Sequence, residues 1–214
     1  MSYNLSQQTK KPARVRSLFV AALVLACALG TVTHAAAEDL TPPPGNSAFL
    51  VGHAFGTQGY VCLPDGKGGT SWTINPARPE ATLFVKVFGQ DAQIITHFAS
   101  IDANPNDFAP NPLPPGGNAT WQGFDTSAVW AIAVKSIPAG SDPKICPNTG
   151  AIPCLLLQSI GNQQGPTGGR LLANATFVQR LNTNGGSAPT TACSVGQTQL
   201  VPYTADYYFF HKDE

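Results

Sequence analysis

The distribution of glycine and proline constrains this chain more than any other feature of its sequence. The 214 residues include 21 Gly and 19 Pro, and beyond residue 37 one or the other recurs every few positions. No stretch there carries apolar residues at helical spacing for three clean turns. Because short strands tolerate such punctuation and long helices do not, the pattern predicts an all-β protein.

Short runs rich in β-branched and aromatic residues are the predicted strands. Residues 82–88 and 93–98 form the clearest pair, and the Gly-Gln-Asp turn at residues 89–91 predicts a hairpin between them. Further runs cover residues 48–55, 59–63, 128–134, 155–159, 171–181 and 203–210. This number of strands predicts a single-domain antiparallel sandwich or small closed barrel with long Pro- and Gly-rich loops.

The first 37 residues have the pattern of a removable signal peptide. Four basic residues and no acidic one precede an apolar run at residues 18–30, and a small-x-small sequence ends at Ala37. The apolar run of 13 residues is shorter than the roughly 20 that a membrane-spanning helix needs. We therefore expect cleavage near Ala37 and a secreted protein, extracellular or periplasmic. Lipid attachment at Cys27 is the alternative that stays open.

Loss of that signal would change the charge of the protein. It removes four of the 12 basic residues and none of the 12 acidic ones, so the remaining 177 residues carry a net charge of −4. The remaining Lys and Arg are scattered singly, without the basic face that displaces counterions from phosphates. Nucleic acid is therefore not an expected partner, and 177 residues suit one domain.

Cysteine usage agrees with an oxidising compartment. Beyond the signal there are four cysteines, and four cysteines allow three pairings. Cys146 and Cys154 enclose a short segment that turns easily, which favours a local Cys146–Cys154 disulfide and a second one between Cys62 and Cys193. Neither a Cys-x-x-Cys nor a His-x-His pair occurs, so no metal and no cofactor is expected.

Two segments are predicted as loops. Residues 103–118 hold five Pro, two Gly and four Asn, so the interval 100–119 is expected to be a loop insertion within a domain at residues 48–214. Residues 38–47 include three consecutive prolines and are expected to form an extended leader.

Several segments resemble the DUF3455 family, secreted proteins of bacteria and fungi whose function is unassigned. The resemblance covers nearly the whole chain after the signal and is carried by residues 56–62, Trp72, residues 79–83, His97, Trp121, residues 125–127, 151–157, 179–189, Cys193 and residues 203–209. It implies a secreted β-rich domain with a Cys62–Cys193 link.

The sequence also departs from the family pattern. Cys154 stands where the family usually has Trp, Thr126 where it usually has Gly, and the Pro-rich loop separates segments that are nearly continuous in many relatives. The first departure supports a Cys146–Cys154 bridge that is peculiar to this branch.

Candidate catalytic residues are few and weak. No Gly-x-Ser-x-Gly elbow and no phosphate-binding loop is present. His97 could act as a general acid or base with Asp125 or Asp206, around an Arg180 anchor, in a hydrolase or lyase. Arg180 could instead bind a carboxylate ligand or pair internally with Asp125 or Asp206, and the internal pair is the favoured reading.

Aromatic residues are the better candidates for ligand binding. Trp121, beside the Pro-rich loop, is expected to be exposed and able to stack on a ligand, with Tyr60 and Arg180 as further binding residues. The favoured interpretation is a non-enzymatic extracellular binding or surface module. Its expected partner is a small ligand, a polysaccharide or a surface protein, and the enzyme with His97 is the alternative.

Overall fold

A computed structural model describes residues 40–75, 79–100 and 118–214 of this chain. These residues form nine β-strands and no helix: β1 Asn46–Pro64, β2 Thr70–Ile74, β3 Glu80–Val87, β4 Gln90–Ser100, β5 Asn118–Gly123, β6 Ala128–Ile137, β7 Cys154–Gln163, β8 Ala175–Gly185 and β9 Thr198–Lys212. The all-β prediction is confirmed. The predicted signal peptide, Cys27 and residues 101–117 of the predicted loop insertion lie outside the described residues.

All nine strands belong to one antiparallel sheet that closes into a ring. The order is β2-β1-β3-β4-β5-β6-β7-β8-β9, and β9 also pairs with β1. The long β1 makes this closure possible, because it pairs with β9 along almost its entire length, and with β3 and β2 in succession on its other edge. The two strands predicted at residues 48–55 and 59–63 are thus one continuous strand.

Gly56 lies where β1 passes closest to β3. A Cβ atom at this position would collide with the carbonyl oxygen of Glu80 and come within 2.5 Å of the Ala81 side chain. The absence of a side chain therefore lets β1 continue past β3 instead of ending there.

The predicted β3–β4 hairpin is present, but its turn lies one residue earlier than expected. Phe88 and Gly89 form a two-residue turn with φ of 50° and 79°, and Val87 pairs directly with Gln90. Positive φ at both turn residues is the type I′ geometry that matches the twist of the flanking strands. Because of this register, Phe88 is a turn residue and not, as predicted, the last residue of a strand.

The main hydrophobic core fills the inside of the ring. Alternate residues of β9 show how it is built, since Tyr203, Ala205, Tyr207 and Phe209 are buried and pack with Trp121 and other inward-facing side chains. Because neighbouring residues of a strand point to opposite faces, Tyr208 belongs instead to a second apolar cluster on the outer face.

The second cluster contains one of the two disulfides, and the described part of the predicted leader packs against it. Cys146 and Cys154 are bonded within it, with Cα atoms 5.9 Å apart, beside the fully buried Leu40. Gln179 Nε2 donates to the Leu40 carbonyl at 2.9 Å. Leu40, the first described residue of the predicted leader, therefore holds this segment against the sheet.

The other disulfide joins Cys62 to Cys193, with Cα atoms 6.0 Å apart. It ties the end of β1 to the loop before β9, and Trp72 Nε1 donates to the Thr191 carbonyl in the same region at 3.0 Å. Both predicted disulfides are confirmed. No helix in the described residues has the length and apolar character needed to span a membrane.

Candidate ligand-binding site

A cavity of about 270 Å³ lies at the end of the ring where β4 finishes and β5 begins. Strand alternation aims its wall residues inward, as the pairs His97 and Ala99 on β4 and Ala119 and Trp121 on β5 show. The described residues that line it are Gln58, Ile74, Pro79, His97, Ala99, Ala119, Trp121, Leu155, Leu157, Arg180 and Tyr207.

An aromatic stack forms one wall of this cavity. His97 and Trp121 are directly opposite each other on β4 and β5, and their rings are stacked with centroids 4.4 Å apart and planes 9° from parallel. Tyr207 contacts both, with centroids 5.5 Å from His97 and 5.6 Å from Trp121. Each ring restricts the others, so this wall is rigid.

The His97 ring is held neutral and in one tautomer. Burial lowers its pKa from 6.5 to about 4; the hydrogen bond to Thr120 opposes this shift, and the positive charge of Arg180 adds to it. Its Nδ1–H donates to the Thr120 carbonyl at 2.8 Å. Nε2 is therefore an acceptor at neutral pH, and no described residue donates a hydrogen bond to it.

Arg180 brings a positive charge to the cavity. Its Nε and Nη2 both donate to the Pro153 carbonyl, at 3.2 and 2.9 Å. A guanidinium has five N–H groups, so three remain without a partner among the described residues. No carboxylate in the described ranges lies within ion-pair distance of it.

Two further polar groups at the cavity have no hydrogen-bond partner among the residues that the structure describes. The indole Nε1–H of Trp121 is buried with no hydrogen-bond acceptor, and Gln58, which is only 8% exposed, makes no side-chain hydrogen bond within the described part of the chain. Buried polar groups are nearly always satisfied by protein or by a bound molecule. Within the described part of the chain, these groups are therefore available to bond a molecule in the cavity.

The predicted grouping of His97 with an aspartate does not form in this structure. Asp125 instead organises the β5–β6 turn, where it accepts from Ser127 Oγ at 2.6 Å and from the Leu171 amide at 2.8 Å. Burial would raise the pKa of Asp125, but these hydrogen bonds outweigh it and lower the pKa. The same contacts explain why the strand predicted from residue 171 begins only at Ala175.

Asp206 lies on the outer face of β9. Its carboxylate is 2.6 Å from His53 Nδ1 and accepts from Asn182 Nδ2 at 2.8 Å. The favoured internal pairing of Arg180 with Asp125 or Asp206 is therefore wrong, because both carboxylates have other partners and neither lines the cavity.

The predicted exposure of Trp121 is also wrong. Its side chain is 1% exposed, since the register of β4 and β5 turns it into the ring. Tyr60 is buried as well, and its hydroxyl donates to the Gly186 carbonyl at 2.6 Å. Tyr60 is not among the residues that line the cavity, whereas Trp121 and Arg180 are.

Gln58 and the two leucines of β7 are cavity residues that were not among the sequence candidates. Gln58 lies between the strands predicted at residues 48–55 and 59–63, and it faces the cavity only because β1 continues through that interval. Within the described ranges, no three His, Cys, Asp or Glu side chains are grouped so that they could hold a metal ion.

The fold and the cavity define a disulfide-stabilised antiparallel β protein with a small, partly polar chamber inside a closed sheet. The chain belongs to the family described as "Protein of unknown function (DUF3455)", whose pattern it matches over residues 43–211. No curated protein and no solved structure matches the chain significantly.

Proposed function

We propose that this protein is a secreted, non-enzymatic binding module whose interior cavity holds a small ligand. The polar groups at the cavity that are unsatisfied among the described residues carry the proposal: there, Arg180 has no carboxylate partner and the indole N–H of Trp121 has no acceptor. Leaving such groups unpaired costs stability, and a ligand that pairs with them recovers the loss on binding.

The size of the cavity favours a small ligand over a polysaccharide or a surface protein. Its volume of about 270 Å³ is just below the range for sites that take drug-sized molecules, roughly 300–1,000 Å³. Most of the wall residues belong to strands of one sheet that closes into a ring, and a cavity of this size suits a small molecule better than a continuous polymer.

An exported location is the second part of the proposal. The Cys62–Cys193 and Cys146–Cys154 disulfides persist most readily in an oxidising compartment. The signal-like sequence at residues 1–37 supports the same location, extracellular or periplasmic. In this proposal, residues 48–214 form one domain, and the leader predicted at residues 38–47 packs against it through Leu40 and enters β1 at Asn46.

The hydrolase or lyase alternative gains no support from the geometry. His97 shares the cavity with Arg180, but its Nδ1–H is bonded to a backbone carbonyl, and neither Asp125 nor Asp206 lines the cavity. A histidine with a pKa near 4 is also a weak general base at neutral pH.

Fragment binding followed by NMR tests the proposal. We expect members of a library of small acids, amides and alcohols to shift the indole N–H resonance of Trp121 and to leave that of Trp130 unchanged. Trp130 is a suitable internal reference because its indole N–H is also buried without a partner, while the residue lies outside the cavity.

A cavity-filling variant provides the control. Ala119→Leu should abolish fragment binding, whereas Ala133→Leu, at an exposed position on β6, should leave it intact. The proposal fails if no fragment shifts Trp121, or if the fragments bind Ala119→Leu as well as they bind the wild-type protein.

A further inference from the structure

The net charge of the residues that line the cavity determines which charge a ligand needs in order to balance it. The described residues that line it include Arg180 and no Asp, Glu or Lys, and His97 is uncharged at neutral pH. The positive charge of Arg180 reaches into the interior, since it acts on the buried ring of His97 and on the hydroxyls of Tyr60 and Tyr203. A cation that has no counterion in the described ranges calls for one negative charge.

The geometry of Arg180 favours a carboxylate as that charge. The Pro153 carbonyl occupies the side of the guanidinium formed by Nε and Nη2. The end formed by Nη1 and Nη2 is left with parallel N–H groups, whose spacing matches the two oxygens of a carboxylate. A phosphate dianion would need a second cation, and the described lining residues do not supply one.

The rest of the wall is suited to an apolar molecule. Leu155 and Leu157 on β7 and the alanines at positions 99 and 119, which neighbour His97 and Trp121 on β4 and β5, present only hydrocarbon to the cavity. The Trp121 N–H and the Gln58 amide could each bond one further oxygen of the ligand. A ligand of this kind combines a carboxylate at one end with a hydrophobic body.

We propose, on the basis of the binding function above, that the cavity takes a small monocarboxylic acid with an apolar body. The carboxylate accepts hydrogen bonds from the Nη1 and Nη2 end of Arg180, and the body lies against Leu155, Leu157 and the ring of Trp121. Arg180 therefore selects the class of ligand, and the surrounding apolar wall limits its size.

Benzoate, benzamide and phenyl phosphate are matched probes for this proposal. Calorimetric titration of the full-length folded protein should give an affinity for benzoate about 10- to 100-fold above that for benzamide, as a charged hydrogen-bonded pair implies. Phenyl phosphate should bind more weakly than benzoate. Equal affinity for benzoate and benzamide, or a preference for phenyl phosphate, would overturn the carboxylate assignment.

Variants of Arg180 separate this assignment from the binding function itself. The affinity of Arg180→Gln for benzoate should fall to its affinity for benzamide. Its affinity for benzamide should stay within about twofold of the wild-type value. Arg170→Gln, at an exposed position outside the cavity, should retain the preference. A preference that survives in Arg180→Gln contradicts the assignment. If Arg180→Gln fails to fold, Arg180→Lys replaces it. This variant should prefer benzoate over benzamide less strongly than the wild-type protein does, and a preference of the same size counts against the proposal.

The two proposals fail in different ways. If benzamide binds as tightly as benzoate and both shift the Trp121 indole N–H, the cavity binds ligands but the carboxylate assignment is wrong. If no probe and no library fragment shifts that resonance, the binding function itself is wrong, and the carboxylate assignment falls with it.

Discussion

At the scale of single residues, the site depends on which polar atoms the fold leaves without partners. His97 and Arg180 were both candidates from the sequence, yet their hydrogen bonds are to the backbone carbonyls of Thr120 and Pro153. The aspartates expected beside them are engaged elsewhere. Thr126 illustrates a different residue-scale effect, since it adopts φ of 66° at a position where the family usually has glycine.

The buried His97 gives a testable dependence of stability on pH. Its folded pKa of about 4 is below the unfolded value of 6.5, so between these values the unfolded chain binds a proton that the folded protein excludes. Stability therefore rises with pH across this window and is lost as the pH falls through it. Between pH 7 and pH 4, the free energy of unfolding should therefore fall by about 3 kcal/mol less in His97→Gln than in the wild-type protein.

Urea denaturation at a series of pH values measures this difference. Comparing wild type and variant at each pH cancels the contribution of the carboxylates, which titrate in both proteins. Parallel stability curves for the two proteins would show that His97 is not the buried neutral group described above.

At the scale of elements, turn chemistry and close strand approach decide the register. The sequence predicted the β3–β4 hairpin correctly but assigned its turn to residues 89–91, because glycine followed by polar residues is the usual signal. Pairing of Val87 with Gln90 instead leaves Phe88 in the turn, where its side chain is 101% exposed. A bulky residue at positive φ is unfavourable, so here the pairing of the strands overrides the local preference.

Replacement of Phe88 should therefore stabilise the protein. Phe88→Asn places a residue that tolerates positive φ at the first position of a type I′ turn and removes no buried surface, so we expect a gain of about 1 kcal/mol in the free energy of unfolding. Phe124→Asn is the matched control, because Phe124 is also exposed but has no positive φ. Chemical denaturation that shows no gain over this control would contradict the explanation.

At the scale of the whole molecule, ring closure and the disulfides hold distant parts of the chain together. The β1–β9 pairing joins the two ends of the described domain, and Cys62–Cys193 closes a loop with a sequence separation of 131. The Cys146–Cys154 bridge spans a separation of 8 and acts locally. The Cys62–Cys193 disulfide therefore restricts the unfolded chain far more than the Cys146–Cys154 disulfide does.

The two disulfides should therefore contribute unequally to stability. The chain-entropy model gives about 5 kcal/mol for the longer loop and about 2.5 kcal/mol for the shorter one. We expect the double variant Cys62→Ala with Cys193→Ala to lose more stability than Cys146→Ala with Cys154→Ala, by about 2.5 kcal/mol. Urea denaturation of both variants measures the difference, and a larger loss in the second would show that packing around Cys146 and Cys154 outweighs loop closure.

The sequence alone predicted the class of fold and most of the strands, and it favoured the two observed disulfides among three possible pairings. Glycine and proline spacing, β-branched runs and cysteine number are local signals, and they report on local conformation and on the compartment. The joining of residues 48–63 into one strand depended on the close approach at Gly56, which no local signal shows.

The composition of the site was decided by the tertiary structure. Whether Trp121 points into the ring depends on the register between β4 and β5, and whether Arg180 keeps its charge unpaired depends on where Asp125 and Asp206 find partners. Both are contacts between segments far apart in sequence. The sequence supplied the residues, and closure of the sheet decided which of them face the same cavity.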